Sequence, residues 1–438
     1  MTRPTILVFT ALALLGFSHA EAASSGLIVT FDSIPNRVRR DNPDLAAARL
    51  RIREALGRMK QSGRRSNPEL EGGFEHNTTF REGTIEIGIS QRFPVTDRLR
   101  LERNISVIEL KAAEAEIKEV ERLLVAEAKT ALVEVLAFRQ QRTLRQKQAE
   151  VSAKLAGFIK QAADKGEQSP IDAGQAKLEA ARLSSGIRQL KASEVASIGK
   201  LKPLLGMRVT DVLNVTGSLP EPSLPAGVVD PRRRPDFQAA QLQAQAATQN
   251  VELENARRYD DVEAGFVAGL ERAEDAPEGF ETEGIIGFRV KLALPFWDKN
   301  EGNIEAAQAR AERKHKETVA LAHPIRHQAD SSRKEMVEWK RMLNEITDNL
   351  LPLAADQAGA AESAYLDGFS DLSAVLRARE QQLELADSRI EALRSFHLAR
   401  VRFEAVAVTT AQRLSSARRA TSSAAPSPGS CTCSTPRS

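Results

Sequence analysis

The chain has 438 residues, and its 62 basic and 59 acidic side chains nearly cancel to a net charge of +3. This balance leaves no basic footprint for nucleic acid, and no nucleophile-elbow, phosphate-loop or zinc-protease motif occurs. We therefore predict neither an enzyme nor a nucleic-acid-binding protein, and no cofactor. The aromatic content of only 5% suits long helices that bury narrow apolar stripes.

The first residues have the pattern of an export signal. Arg3 precedes the apolar run Ile6–Phe17, and the segments Ser18–Ala20 and Ala20–Ala22 both resemble A-x-A cleavage sites. This pattern predicts a signal peptide over 1–22, since the run is too short for a membrane-spanning helix. No later apolar run reaches the length of a span, so we expect an exported protein that is periplasmic, secreted or an outer-membrane barrel.

The rest of the chain reads as a duplication. Four segments recur in the same order: Asn42–Ala55 with Arg234–Ala247, Pro68–Phe74 with Asp260–Phe266, Gln91–Arg100 with Leu292–Glu301, and Lys165–Glu179 with Asp367–Gln381. A fixed order of matches indicates an internal repeat. We predict a first repeat over 23–200, an external linker over 201–231, a second repeat over 232–413 and a disordered tail over 414–438.

Both repeats are predicted to contain the same elements in chain order. They are a helix at 36–65, strands at 68–76 and 84–93 and helices at 96–164 and 170–200, then a helix at 232–258, strands at 261–271 and 285–294 and helices at 298–366 and 371–413. At 1.5 Å per residue, each of the two longest helices would extend roughly 100 Å. The predicted fold class is therefore mainly α with a small β part.

The strands alternate apolar and polar residues, as Ile85, Ile87 and Ile89 do around Glu86. Such alternation is typical of a half-buried sheet or of a membrane barrel with an aqueous lumen. A sheet of four amphipathic strands cannot close by itself, and lipid does not tolerate open edges. Three chains would supply twelve strands, enough to close one barrel.

The repeated order of helix, two strands, long helix, glycine-containing tip and returning helix resembles the TolC-type outer-membrane efflux family, over about 36–413. The segment "LPFWDKNEGNIEAAQARAERKH" (Leu294–His315) is similar to the heavy-metal-efflux (CzcC-like) branch. The resemblance implies a homotrimer with a twelve-stranded barrel in the outer membrane of a Gram-negative cell and a helical tunnel in the periplasm. It also implies passive export, with an inner-membrane pump of the RND type and a periplasmic adaptor protein as partners. The family leaves metal ions, drugs and polypeptides open as cargo, and the branch suggests heavy-metal cations among them.

In such a barrel the two strand faces acquire different roles. Residues expected to face lipid are Ile85, Ile87, Ile89, Phe266, Phe288, Val290 and Leu292. Residues expected to face the lumen are Glu86, Arg289 and Lys291. Phe296 and Trp297 would lie at the membrane boundary, and packing at the junction of barrel and tunnel remains an equal alternative for Trp297.

Two short segments predict tight turns between long helices. The turn residues are Gly166, Ser169, Pro170 and Asp172 in the first repeat and Gly368, Ser370 and Asp371 in the second. Glycine suits the left-handed position after a helix, and serine with proline suits the next helix start. By resemblance these tips dock the adaptor and close the tunnel. Asp172 and Arg377 are candidate gate residues, with Arg377 expected to pair with an acidic residue of a neighbouring helix.

Other signals carry less weight. His323 and His327 are four residues apart on a predicted helix, but zinc sites need three or four ligands, so solvated histidines are favoured and no metal site is predicted. Cys431 and Cys433 are the only cysteines and fall in the predicted tail. The rival interpretation is a periplasmic adaptor or a coiled-coil scaffold, which the matched strands of the two repeats disfavour.

Overall fold

The structure is a computed structural model that describes residues 27–225, 229–275, 277 and 279–407. The predicted signal peptide, the tail and both cysteines lie outside the described residues. The helices are α1 (Ile34–Asp41), α2 (Pro43–Gln61), α3 (Arg98–Asp164), α4 (Pro170–Leu204), α5 (Pro235–Ala256), α6 (Glu301–Glu345), α7 (Leu351–Leu366) and α8 (Leu372–Val406). The strands are β1 (Leu27–Val29), β2 (Glu69–His76), β3 (Gly83–Phe93), β4 (Leu213–Val215), β5 (Val262–Asp275) and β6 (Gly279–Lys291).

Four strands form one antiparallel sheet in the order β2-β3-β5-β6. The helices below it follow the same order, since α2 packs on α3, α3 on α5 and α5 on α6. Further from the sheet, α4 packs on α3, α3 on α8 and α8 on α7. With 67 residues, α3 extends about 100 Å. The prediction of a mainly helical chain with a small sheet is confirmed.

The largest core lies at the middle of the rod. It contains the centre of α3 around Leu132 and Val135, the part of α6 around Met336, and α8 around Phe396. A second and smaller cluster, with Ile159 and Leu372 at its centre, lies near the far end of the helices. Among the described residues, neither cluster of buried side chains includes a residue of the four-stranded sheet.

The predicted external linker is partly wrong. Leu213 and Val215 form β4, which pairs in parallel with β1, and both side chains are buried with Leu219 in the main core. Arg139 donates a hydrogen bond to the backbone carbonyl of Val215 and pairs with Glu194. A strand of only three residues has too few positions for an alternating pattern, so its sequence gave no signal.

The predicted helix at 36–65 is two helices separated at Asn42. The ring of Pro43 disfavours helical backbone at the preceding residue, and Asn42 has φ −70° and ψ 123°. Its buried side chain caps α2 by accepting from the Leu45 N–H at 2.8 Å, and its amide donates to the Leu204 carbonyl at 3.0 Å. This residue therefore joins the start of the chain to the end of α4.

The second long helix also departs from the prediction of one continuous element. A π-helical turn at Ile346–Leu350 separates α6 from α7. Pro352 follows this turn within the first positions of α7, where its missing N–H interrupts the regular bonding pattern. The predicted strand at 285–294 ends earlier, at Lys291, so Leu292 lies just beyond β6.

Candidate functional site: the curled sheet and the helical tips

One face of the four-stranded sheet is an exposed apolar surface. The register places the side chains of Ile87, Ala268 and Ile286 in one row, and those of Ile89, Phe266 and Phe288 in the next. Each residue predicted to face lipid is more than half exposed: Ile85, Ile87, Ile89, Phe266, Phe288, Val290 and Leu292. Leu70, Phe74, Leu270 and Ile286 extend the same surface. A contiguous apolar face of this kind needs a partner or a membrane to cover it.

The opposite face carries charges and is the concave one. Glu86, Arg289 and Lys291 share it, as the register requires. Arg289 on the edge strand β6 approaches Glu86 at 3.8 Å and Glu71, on the other edge strand, at 3.9 Å. In a flat sheet about 14 Å would separate these edge strands. Side chains that meet across them indicate that the sheet curls around its charged face.

Glycines on the charged face allow this close curvature. A Cβ on Gly265 would lie 2.8 Å from the carbonyl oxygen of Ile89, and one on Gly269 would lie 2.6 Å from that of Ile85. No side chain fits at such distances from a neighbouring backbone. These glycines were not singled out from the sequence. The sequence offered one signal for them. Gly265 and Gly269 are four residues apart on β5, so they lie on the same face of the strand, because alternate residues of a strand share one face.

The charged face is divided along its length. Near the helices, Arg92 contacts Glu69 and Glu263 at 3.4 Å each. Toward the β5–β6 turn the same face carries carboxylates that form no ion pair within the described part of the chain. They are Glu75, Glu271, Glu281 and Glu283. The face is therefore charge-balanced beside the helices and acidic beside the turns.

Two aromatic residues mark the junction of the sheet with the helices. The rings of Phe296 and Trp297 meet edge to face with centroids 6.2 Å apart. Trp297 is 95% exposed, so apart from this ring contact the described residues hardly cover it. Asn300 follows in the left-handed region with φ 58°, and α6 begins immediately after it.

At the far end of the rod, both long hairpins close with the same backbone turn. Gly166 has φ +79°, its N–H bonds to the Ala163 carbonyl, and the Glu167 N–H bonds to the Ala162 carbonyl. Gly368, with φ +77°, repeats this arrangement. These are Schellman motifs, in which a glycine after the helix satisfies its last carbonyls.

The two returning helices begin with different caps. In the first, Pro170 opens α4 and the Ser169 hydroxyl accepts from the Ile171 N–H at 3.2 Å. In the second, Asp371 rather than Ser370 is the cap, since its carboxylate accepts from the Ala374 N–H at 2.9 Å. That bond is the main reason that the pKa of Asp371 is lowered, with the Ser373 hydroxyl contributing next.

The candidate gate residues lie on the two packed tips. Asp172 lies near Tyr365, whose pKa is raised mainly by burial and further by the Asp172 charge. The Tyr365 hydroxyl has no hydrogen-bond partner among the described residues. Arg377 is exposed, and its Nε donates to the Ser373 carbonyl of its own helix at 3.2 Å. Pairing of Arg377 with another helix stays a prediction that concerns contacts outside a single chain.

Sequence reasoning missed two ion pairs near the tips, one within the second hairpin and one that joins the two hairpins. Arg379 on α8 bonds Glu362 on α7, and Arg182 on α4 bonds Glu380 on α8 at 2.7 Å. Beside them a cavity of about 390 Å³ opens between the hairpins, lined by Phe158, Leu366 and other apolar side chains. The two residues of each ion pair lie on different helices, so no local sequence pattern predicts the pairing.

Within the described residues, no group of three or more histidine, cysteine or acidic side chains could hold a metal ion. His323 and His327 are both exposed on α6. None of the described helices combines the length and apolarity needed to span a membrane.

Comparison with known proteins gives a consistent result. Residues 34–206 match the family model described as outer membrane efflux protein. No curated protein matches the chain by sequence.

Several solved structures have the same fold as this chain. The outer-membrane channel OprN matches with a TM-score of 0.70 and 18% identity, over 86% of this chain and 89% of its own. CusC, described as forming a transmembrane channel, matches with a TM-score of 0.72 and 16% identity, over 93% of this chain and 98% of its own. The outer membrane protein VceC from Vibrio cholerae matches with a TM-score of 0.69 and 19% identity, over 86% of this chain and 95% of its own.

The tip geometry predicts opposite effects for two glycine substitutions. Gly166→Ala should destabilise the first tip by about 1–2 kcal/mol, because alanine is strained at φ +79°. Gly174→Ala, in open space inside α4, should instead stabilise by about 0.5–1 kcal/mol through helix propensity. Hydrogen exchange of amides 163–175 measures both. Equal protection in the two variants would contradict the role assigned to Gly166.

Proposed function

We propose that this chain is the outer-membrane channel of a tripartite efflux system, because residues 34–206 match the outer membrane efflux protein family model and the fold is that of outer-membrane channels. The family recognition drawn from the sequence is confirmed. In this function the protein is a passive duct, and other proteins supply the energy for export.

The observation that carries this proposal is the open, curled sheet. Its apolar face is exposed while its charged face turns inward, which is the arrangement of a barrel wall with lipid outside and water inside. The outer edges of β2 and β6 have no strand beside them within the described chain. Lipid does not tolerate free edges, so copies of the chain must complete the barrel. We propose a homotrimer with twelve strands.

Disulfide cross-linking between edge strands tests the trimer. After Cys431→Ser and Cys433→Ser, we expect Gly72→Cys on β2 to cross-link with a cysteine at one of positions 284, 286 or 288 on β6 of another copy. Because every chain has both edges, oxidation should give a covalent three-chain ring on a denaturing gel. The pair Gly72→Cys with Ala268→Cys is the control, since β5 is an interior strand. A product that never exceeds two chains, or a stable water-soluble monomer, would contradict the trimer.

The charge on the inner face supports positively charged cargo. In a trimer the unpaired carboxylates beside the turns would recur in every copy and line the outer part of the barrel. Rings of acidic side chains attract cations and repel anions. We therefore include cations, with heavy-metal ions among them, as the proposed cargo class.

Ion selectivity tests this part of the proposal. Glu271→Gln removes one inner carboxylate per chain and should lower the cation-to-anion permeability ratio about two- to threefold. The reversal potential across a planar bilayer with a salt gradient measures the ratio. Glu274→Gln is the matched control, because Glu274 lies on the same strand with its side chain on the other face. Equal shifts of the reversal potential in both variants would show that the lumen carboxylates do not determine ion selectivity.

The helical tips are the proposed docking site for the periplasmic adaptor. The Schellman turns present two compact hairpin ends, and the apolar cavity between the hairpins offers a surface for helices of a periplasmic adaptor. The adaptor would join the channel to an inner-membrane pump, which we propose to be of the RND type. The same tips would narrow the entrance, with Asp172 beside Tyr365 and Arg377 exposed toward a neighbouring copy.

Charge reversal at Arg377 tests the gate. If Arg377 pairs with an acidic residue of another copy, Arg377→Glu should raise single-channel conductance, since repulsion replaces an attraction of about 0.2–1 kcal/mol at each of the contacts. Arg188→Glu, at an exposed arginine higher on α4, is the control. If conductance is unchanged and the assembly is intact, Arg377 has no role in the gate and is an ordinary solvated surface residue.

A further inference from the structure

A group of basic residues, which we call the basic patch, surrounds the junction of α2 with the sheet. Its members are Arg58, Lys60, Arg64, Arg65 and Arg103. All five are exposed, and none forms an ion pair with a carboxylate in the described part of the chain. Arg64 donates only to the Lys60 carbonyl, at 2.8 Å. Most arginines of the helices, by contrast, have an acidic partner, so this cluster is an unbalanced positive charge.

The backbone holds the patch directly beneath the apolar face. Gly63 turns with φ +68° and lies so close to α3 that a Cβ on it would be 2.4 Å from the Leu99 carbonyl oxygen and 3.1 Å from the Arg103 Cβ. Gln91, on the same sheet face as Ile89, donates to the Ser66 carbonyl at 2.9 Å. Arg103 is five residues into α3, or about 8 Å along the helix. The positive charge therefore begins where the lipid-facing surface ends.

The duplication shows that the fold does not require this charge. The aligned positions of the second repeat are Asn250, Glu252, Ala256 and Arg257 for Arg58, Lys60, Arg64 and Arg65. Of these only Arg257 is basic, and it is neutralised by Glu254 at 2.9 Å and Glu102 at 3.4 Å. Both repeats form the same helix and strands, so the cations of the first repeat serve something other than folding.

We propose that the basic patch binds anionic phospholipid headgroups of the leaflet that faces the helices. This inference rests on the proposed placement of the sheet in the outer membrane. Arginine forms paired hydrogen bonds with phosphate oxygens, and basic residues next to a membrane-embedded surface attract anionic lipid within about one Debye length. The exposed Phe93, on the lipid-facing side of β3, would pack against the acyl chains of the same lipid. The patch would thereby fix the depth and tilt of the barrel.

A second copy of the chain is the competing occupant. In each chain α2 is at one end of the helix order and α6 at the other, so a trimer would bring α6 of one copy to α2 of the next. Carboxylates on α6 could then neutralise part of the patch. The two occupants make different predictions, since only a lipid contact depends on the membrane composition.

Lipid retention tests the proposal. The full-length channel is reconstituted into vesicles of phosphatidylcholine alone or mixed with phosphatidylglycerol, then re-extracted, and native mass spectrometry measures the bound lipids. We expect wild-type protein to be enriched in phosphatidylglycerol, and the triple variant Arg64→Gln, Arg65→Gln, Arg103→Gln to lower this enrichment about tenfold. High salt should lower the enrichment of the wild type only. The control Lys177→Gln, Arg188→Gln, Lys191→Gln changes exposed cations far from the sheet and should leave it unchanged.

Each other outcome has a defined meaning. Equal enrichment in the triple variant and the wild type overturns the lipid site while leaving the channel function intact. Loss of the three-chain species by the triple variant in phosphatidylcholine alone assigns the patch to the neighbouring copy, and also overturns the proposal. A wild-type protein that fails to insert into either kind of vesicle overturns the membrane placement and the proposed function together.

Discussion

The requirement that backbone hydrogen bonds be complete in lipid governs the rest of this structure. A curled sheet of four strands leaves its outer edges open, and none of the described residues covers its apolar face. The proposed closure with other copies would satisfy both demands together. Curling depends on glycines such as Gly265 and Gly269, and the inner face of such a barrel could keep charges such as Arg289 because water would fill the interior. The helices follow the same order as the strands, so closure of the sheet would also set how the helices are arranged around the axis of the rod.

Duplication lets the two halves share a fold while their surfaces diverge. Gly166 and Gly368 occupy the same backbone position in the two tips, because a left-handed residue is needed wherever a long helix ends in this way. The caps that follow differ, with Ser169 in one half and Asp371 in the other, since either side chain can satisfy a free N–H. A position that only glycine fits well is therefore repeated, whereas a cap that several kinds of side chain can supply is free to differ.

Local patterns explain which features could be predicted from the sequence. The alternation around Ile87 and the glycine of each tip are signals within a few residues, and strand faces and turns followed from them. The pairing of β1 with β4, the curvature at Gly269 and the pair Arg379–Glu362 join distant segments or different helices, so no periodicity contains them. Asn42 could be predicted only in part. Pro43 predicts the helix break before it, but no local pattern predicts the hydrogen bond from Asn42 to Leu204.

The distribution of buried side chains suits the proposed gating role of the tips. The main core lies at the middle of the rod, whereas the tips share only a small cluster around Ile159 and Leu372. The ion pairs that join the tips are partly exposed, as for Arg182 with Glu380, and such pairs are each worth about 0.2–1 kcal/mol. Segments with few buried contacts open at low free-energy cost. Rearrangement of the tips can therefore proceed while the core at the middle of the rod keeps α3, α6 and α8 in place.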